Sequence, residues 1–149
     1  MIHGIGTDVV QIQRIAKLHE KYGERFVERL LLPAELDAFR GQASGQGSGQ
    51  GSGQGIGQGI GKSRSARFLA MRFAAKEAIV KAMGTGFAHG VWIRDVGVAA
   101  NEFGRPGIIW SERGQQVRER LGIGEGHITL TDEAGLVVAV AVLMRRHPV

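Results

Sequence analysis

RFLAMRFAAKEAIVKAMGTG, residues 67–86, has the alanine-rich composition of a stable helix. Ser63 or Ser65 is available as its N-cap. Gly84 and Gly86 stand where a left-handed C-cap would lie, because glycine adopts that conformation without strain. These signals predict one helix across the whole segment.

This helix has two apolar faces, separated by two gaps that hold charged residues at a turn of about 100° per residue. The broad face comprises Phe68, Met71, Ala75, Ala78, Ile79 and Ala82, and the narrow face comprises Leu69, Phe73 and Val80. Arg72 and Lys76 fall in one gap, and Glu77 and Lys81 in the other. Since a helix that is apolar on two sides is mostly buried, its charges are expected to line an interface or a cleft. The i,i+4 spacing of Glu77 and Lys81 also suits an ordinary ion pair on a solvated strip. Geometry alone leaves open whether these residues form such a pair or a functional site.

The positive charge of the chain is concentrated around the same helix. The 149 residues carry a formal charge of +5. Basic and acidic residues balance before residue 62 and after residue 84, so the excess comes from one short segment. That segment contains Lys62, Arg64, Arg67, Arg72, Lys76 and Lys81 against Glu77. A local excess indicates a compact site for a polyanionic ligand, and we expect no nucleic acid and no membrane as partners.

Length and composition predict a single domain over residues 1–149, because 43% hydrophobic residues suffice for one core. The chain has no cysteine, which excludes disulfides and thiolate chemistry. It also lacks a secretion signal, a lipidation motif and a long apolar span. These features predict a cytoplasmic protein.

Residues 2–10, IHGIGTDVV, are predicted to form the first strand. Strand alternation places Gly4 and Gly6 on the same side as Asp8, where the two glycines would let a ligand approach the backbone. Asp8 ends this run, so an N-cap role is the alternative to a functional one.

Residues 11–22 are predicted to form a helix that stops at Gly23. Its outer face and the turn that follows carry a row of cations, called the basic ridge below: Arg14, Lys17, Lys21, Arg25 and Arg29. Such a row is usually a solvated face, and it acquires a function only if the partner is acidic. A short helix is predicted from Pro33 to about Arg40.

Residues 41–61 are low in complexity, with glycine at every odd position from 45. They contain too little apolar surface to offset the chain entropy, which predicts a flexible insertion within the domain. A self-associating strand is the alternative. The glycines do not form a phosphate-binding motif, because no lysine follows a strand-glycine turn.

The rest of the chain predicts strands and one more helix. Residues 91–100 and 107–110 are predicted strands joined by a turn at 101–106. Ser111 can cap a helix that runs to Leu121 and stops at Gly122, and residues 127–131 and 136–144 are predicted to form a hairpin. The fold class is therefore α+β, with an antiparallel sheet packed against helices.

Four motifs, in this order, resemble the holo-acyl-carrier-protein synthase family, the small trimeric 4′-phosphopantetheinyl transferases. They are GIGTDVVQIQRI at 4–15, RFAAKEAIVKAMGTG at 72–86, GRP at 104–106 and HITLTDE at 127–133. The resemblance covers the chain apart from residues 41–61. It implies a 4′-phosphopantetheinyl transferase fold and transfer of the phosphopantetheine arm of coenzyme A to a serine of an acyl carrier protein.

The resemblance also implies roles for individual residues. Asp8 and Glu77 match the carboxylates that bind Mg²⁺, an ion that takes few protein ligands and keeps positions for phosphate and water. Arg72 and Lys81 match phosphate-contacting positions, and Lys62 and Arg64 fall near the family's basic residues for the 3′-phosphate of coenzyme A. Where many relatives carry a histidine in the last hairpin, this chain has Asp132, so the base for the serine is left to Glu77 or a water.

Arg14, Lys21 and Arg25 are expected to dock the acidic carrier protein, and the resemblance implies a homotrimer. Two other functions compete with this one. The basic segment 62–84 suits a non-catalytic module that binds RNA or another polyphosphate, although that leaves the pairing of Asp8 with Glu77 unexplained. An inactive relative that retains only carrier binding is the other, and the retained carboxylates oppose it.

Overall fold

A computed structural model of the protein describes residues 1–43 and 56–147. The elements in chain order are β1 (Ile2–Gln11), α1 (Ile12–Tyr22), α2 (Glu24–Leu30), α3 (Pro33–Ala43), α4 (Ile56–Met83), β2 (Val96–Ala100), β3 (Pro106–Trp110), α5 (Glu112–Arg120), β4 (Ile123–Glu133) and β5 (Leu136–Arg145). Most of the predicted low-complexity insertion, residues 44–55, lies outside the described residues.

The strands form two antiparallel sheets. β5 lies between β1 and β4 in the first sheet, and β2 pairs with β3 in the second. The helix α4 packs on β1 and β5 on one side and contacts α1 and β2 on others. The predicted α+β class with an antiparallel sheet against helices is confirmed.

Both apolar faces of α4 pack within the chain, with Met71 and Phe73 partly exposed. Leu69, Ala75, Ala78 and Ile79 are fully buried, and Val80 nearly so. This burial confirms that α4 is the central helix of the core. Within the described part of the chain, no helix is both long enough and apolar enough to cross a membrane.

The glycines of β1 serve the packing of α4. A Cβ atom at Gly4 would overlap the carbonyl oxygen of Ala82, and one at Gly6 would overlap that of Ala78. The strand therefore touches the helix backbone directly. The expectation that these glycines provide clearance for a ligand is wrong, because the helix occupies that space.

The sequence predicts the C-terminal end of α4 correctly but not its N-terminal end. Gly84 and Gly86 adopt positive φ angles, and the backbone N–H groups of Thr85 and Gly86 donate to the carbonyl of Val80, which confirms the C-cap. The N-terminal prediction is wrong, since Ser63 and Ser65 lie inside a helix that begins at Ile56. Extending an existing helix requires one more ordered residue for each new hydrogen bond, so a strong helix propagates into a weak sequence. Two parts of the predicted insertion are helical, because residues 41–43 belong to α3 and residues 56–61 to α4.

The strand predicted at residues 91–100 is shorter in the structure, where β2 begins at Val96. The buried carboxylate of Asp95 accepts hydrogen bonds from the backbone N–H of Trp92, the hydroxyl of Ser111 and the Nε of Arg113. This network holds residues 92–95 in a turn. Ser111 caps α5 as predicted, by accepting a hydrogen bond from the N–H of Gly114. The helix α2 was not predicted.

Candidate active site

Asp8 lies on β1 where the strand crosses α4, and its carboxylate faces the helix. The Nζ of Lys81 lies 2.9 Å from Asp8 Oδ1 and donates a second hydrogen bond, of 3.0 Å, to the carbonyl of Thr7. Lys81 therefore reaches across to the strand. Among the ion pairs of the described residues Lys81 pairs with Asp8 and not with Glu77, so the interpretation as an ordinary i,i+4 pair is wrong. The N-cap alternative for Asp8 is also wrong, since β1 continues to Gln11, which occupies the N-cap position of α1.

Glu77 lies one turn before Lys81 on the same helix and is half-buried. Removal from water raises the pKa of its carboxyl, and the negative charge of Asp8 raises it further. The cations of Lys81 and Arg14 act in the opposite direction without reversing the shift. Two carboxylates and two cations from β1, α1 and α4 thus share one site.

Arg72 precedes Glu77 on α4 and is largely buried. Its guanidinium stacks over the ring of Phe68 at 4.3 Å. The side chain lines an open cavity of about 500 Å³, whose wall also includes Gln42, Arg64, Arg67, Phe68 and Met71. Lys62 is exposed two residues before Arg64 on the same helix. The structure brings Arg72 and Arg64 together at one opening. Arg67 also lines it but is paired with Asp132, so Arg64 and Arg72 are the arginines placed to attract an anion.

The basic ridge runs along α1 and α2, and all five of its residues are exposed. The Nζ of Lys21 lies 5.2 Å from the centre of the Tyr22 ring. Arg25 and Arg29 border a cavity of about 340 Å³ that also contacts Leu18, Tyr22 and Phe26. This surface combines an apolar groove with a cationic rim.

Asp132 has a partner that sequence reasoning missed. Arg67 donates two hydrogen bonds to its carboxylate, 2.8 Å from Nε and 2.7 Å from Nη2. These bonds lower the pKa of Asp132 and join the end of β4 to α4. Asp132 itself stood out in the sequence, but only the pairing of β4 and β5 brings it to Arg67.

The residues that could hold a metal are Asp8 and Glu77. No group of three or more His, Cys, Asp or Glu side chains with metal-binding geometry occurs in the described ranges 1–43 and 56–147. Mg²⁺ does not need such a group, because it is bound by one or two carboxylates and completes its shell with substrate phosphates and water. The donor set of Asp8 and Glu77 therefore fits this ion.

Comparison with known proteins identifies the family of the chain. Residues 4–141 match the 4′-phosphopantetheinyl transferase superfamily. The holo-[acyl-carrier-protein] synthase of Halorhodospira halophila is 38% identical over 144 residues, covering 97% of this chain and 98% of the relative.

Solved structures give the same result. The holo-[acyl-carrier-protein] synthase of Neisseria meningitidis has a TM-score of 0.78 at 33% identity, over 97% of this chain and 100% of that one. The Bacillus anthracis enzyme, solved in complex with coenzyme A (3′,5′-ADP), has a TM-score of 0.68 at 31% identity, over 99% of each chain.

The fold and the site thus define an enzyme class, the phosphopantetheinyl transferases. The chain belongs to the 4′-phosphopantetheinyl transferase superfamily, and within it to the holo-[acyl-carrier-protein] synthases. The suspected family and the enzyme class are confirmed.

Proposed function

We propose that the protein transfers the 4′-phosphopantetheine group of coenzyme A to a serine of an apo-acyl carrier protein and releases adenosine 3′,5′-bisphosphate. The observation that carries this proposal is the meeting of Asp8, Glu77 and Lys81 between β1 and α4. Attack on a pyrophosphate requires cations around its oxygens and around the leaving phosphate, and this site offers carboxylates for a metal beside a lysine. We place the activity in the cytoplasm, in support of fatty acid biosynthesis.

Asp8 and Glu77 are the residues that would hold Mg²⁺. When bound, Mg²⁺ supplies positive charge that stabilises the developing negative charge on the pyrophosphate oxygens. Lys81 fixes the orientation of Asp8 through the 2.9 Å ion pair. Its side chain is half exposed, so its ammonium group is also accessible to the phosphate of the leaving adenosine.

The arginines of α4 bind the rest of coenzyme A in this scheme. Arg72, stacked on Phe68, contacts the phosphates, and its planar guanidinium suits two phosphate oxygens at once. Arg64 and Lys62 lie nearer the start of the helix and are assigned to the 3′-phosphate. The cavity that Arg64 and Arg72 share is the space for this part of the substrate.

The proton of the attacking serine requires a base. Glu77 is a better candidate than Asp132, because it lies beside Asp8 and Lys81, whereas the carboxylate of Asp132 is held by two hydrogen bonds from Arg67. A bound water molecule is the alternative acceptor.

The basic ridge is proposed as the docking surface for the acyl carrier protein. Arg14, Lys21 and Arg25 are exposed, and the apolar groove beside Arg25 would receive apolar side chains of an acidic helix. Arg14 is also close enough to influence the charge of Glu77. A carrier bound on this ridge would therefore present its serine beside the carboxylates.

A homotrimer with active sites between subunits is part of this proposal, and the open face of the three-stranded sheet supports it. Ile5 and Val9 on β1 are each 59% exposed, and they pair with Val142 and Val138 on β5. The result is a contiguous apolar surface of a kind that usually marks an interface. The two apolar faces of α4 do not provide it, because most of their residues are buried within the chain.

Mass spectrometry of an apo-acyl carrier protein incubated with coenzyme A, Mg²⁺ and this protein tests the function. The expected product is a carrier heavier by one phosphopantetheine arm, with adenosine 3′,5′-bisphosphate formed in equal amount. A carrier of unchanged mass, under conditions where a Neisseria meningitidis enzyme modifies it, contradicts the proposal.

A further inference from the structure

Glu35 and Lys76 form an ion pair in the other gap between the apolar faces of α4. Both side chains are 0% exposed, and Lys76 Nζ lies 2.7 Å from Glu35 Oε2. The same ammonium group donates a hydrogen bond of 2.6 Å to the carbonyl of Val96. None of the roles assigned to the active site uses this buried pair.

The carboxylate of Glu35 is held in one position by the surrounding backbone. Its Oε2 accepts a hydrogen bond of 3.0 Å from the N–H of Leu32, and its Oε1 accepts one of 2.9 Å from the N–H of Val98. Gly97 leaves the room that the group needs, since a Cβ atom there would lie 2.8 Å from both Cδ and Oε1. The carboxylate is therefore fixed by two backbone N–H donors and by Lys76, in a space that Gly97 leaves open.

Arg72 is the third charged member of this cluster. Its Nε lies 3.7 Å from Glu35 Oε1, and its side chain is only 13% exposed. Among the described residues this Nε is buried without a hydrogen-bond partner. The guanidinium is thus held by charge on one side and by the Phe68 ring on another, while the side chain lines the cavity shared with Arg64.

The charges of the cluster do not cancel. One carboxylate faces two cations, and Lys76 makes the short contact while Arg72 stays at a longer distance. Arg72 is therefore attracted and oriented without being saturated. This is the condition under which an arginine remains available to an anionic substrate.

We propose that Glu35 is a positioning residue for coenzyme A recognition, acting through Arg72. The carboxylate orients the guanidinium against Phe68 so that its free edge faces the phosphates in the cavity. The inference rests on the proposed function, which assigns Arg72 to these phosphates. Losing the orientation weakens binding of coenzyme A and leaves binding of the carrier protein unchanged.

Two variants that differ only in the charge at residue 35 test the proposal. Lys76→Met removes the lysine and leaves Glu35 facing Arg72, whereas Glu35→Gln/Lys76→Met removes both buried charges. The second variant is expected to fold, because replacing a buried ion pair by uncharged groups of similar volume is often neutral. Gly97→Ala is an independent test in which all charges remain, because the added Cβ would overlap the Glu35 carboxylate at 2.8 Å and Leu32 Cδ1 at 2.6 Å and displace both.

The expected results are specific to coenzyme A. For Lys76→Met, the dissociation constant for coenzyme A stays within about twofold of wild type. It is measured by calorimetry in the absence of carrier protein. Glu35→Gln/Lys76→Met and Gly97→Ala weaken binding by about tenfold, or about 1.4 kcal/mol, at unchanged KM for the carrier. In an Arg72→Met background the change at residue 35 has no further effect, because its action passes through Arg72.

The proposal is overturned if Lys76→Met and Glu35→Gln/Lys76→Met bind coenzyme A equally well. It is also overturned if the change at residue 35 weakens binding further in the Arg72→Met background. A loss confined to thermal stability also overturns it, since that is the signature of a purely structural pair. Failure of the proposed function is distinguishable, because wild type would then neither bind coenzyme A nor modify the carrier.

Discussion

Lys76 and Glu77 are neighbours in the chain and lie in opposite surroundings. Lys76 is fully buried and contacts the carboxylate of Glu35 and the carbonyl of Val96. Glu77 is half-buried beside Asp8. The negative charges of these two carboxylates repel each other, and the cations of Lys81 and Arg14 offset part of that repulsion. Adjacent positions on one helix thus serve two purposes, because a rotation of about 100° turns one toward the core and the other toward the cleft.

The difference shows how a single helix separates stability from chemistry. A buried charge is tolerated where every donor and acceptor has a partner, and such a cluster is a fixed support. A pair of partly buried carboxylates has unfavourable charge that a divalent cation would relieve. The Glu35–Lys76 pair, called the closed cluster below, has its partners within the chain. The Asp8–Glu77 pair, called the open cluster below, would gain its missing counter-charge from a cation.

The largest expected effect comes from the open cluster. Asp8→Asn and Glu77→Gln each abolish transfer, because each replaces a charged Mg²⁺ ligand by a near-isosteric amide. Steady-state turnover across a range of Mg²⁺ concentrations measures this, with Glu133→Gln, an exposed carboxylate on β4, as the matched control. Near wild-type turnover of either variant at limiting Mg²⁺ would show that the carboxylate in question is not a metal ligand.

The closed cluster gives the largest expected effect on stability. Glu35→Gln leaves the Lys76 ammonium group buried without a counter-ion, which lowers the free energy of unfolding by about 3–5 kcal/mol. Glu35→Gln/Lys76→Met recovers part of this loss, since the fully buried ammonium group is gone and the cation that still lacks its carboxylate is Arg72, at the wall of the cavity. Urea unfolding followed by circular dichroism provides both values. A double variant as unstable as Glu35→Gln would mean that packing, not charge, dominates at this site.

A smaller effect is expected from the basic ridge, away from both clusters. Lys21→Glu/Arg25→Glu raises the KM for the carrier protein by about tenfold or more at low salt and leaves the KM for coenzyme A unchanged. Added salt narrows the difference between variant and wild type, because it screens exposed charges. Arg145→Glu/Arg146→Glu, at exposed positions off the ridge, is the matched control. Equal increases in KM for the carrier protein and for coenzyme A would contradict the proposed docking role of the basic ridge.

The smallest expected effect is a gain in stability. Since the pKa of Glu77 is raised in the folded state, the folded protein binds this proton more tightly than the unfolded chain does. Stability therefore falls as pH rises through the window between the unfolded and folded pKa values, and the penalty persists at neutral pH. Glu77→Gln removes it and raises the melting temperature in EDTA at pH 7, by an amount that shrinks as the pH falls through that window. A melting temperature of Glu77→Gln below that of wild type at pH 7 would show that the charge of Glu77 does not destabilise the metal-free protein.

Sequence reasoning predicted the elements whose signals are local. The strand that carries Asp8, the helix that carries Glu77 and Lys81, and the glycine stops at Gly23 and Gly84 all follow from short-range patterns. Together with the motif resemblance, these sufficed to propose a site whose groups the structure brings close together.

Tertiary contacts between distant residues could not be predicted. The Arg67–Asp132 pair spans 65 positions, and the Glu35–Lys76 pair joins helices on either side of the low-complexity segment. The buried Asp95 network converts the apolar residues 91–93 from a predicted strand into a turn. At Asp95 these polar contacts outweigh the local strand propensity. In all three cases a single sequence contains no direct sign of the contact.

Direct measurement of divalent cation binding tests most sharply the claim that the open cluster is completed by a metal. Mn²⁺, which takes the same oxygen ligands as Mg²⁺, is titrated into the protein in the presence of coenzyme A and followed by electron paramagnetic resonance. Wild type and Lys76→Met are expected to bind one ion per site, while Asp8→Asn and Glu77→Gln lose that binding. Equal Mn²⁺ binding by wild type and both carboxylate variants would contradict the account.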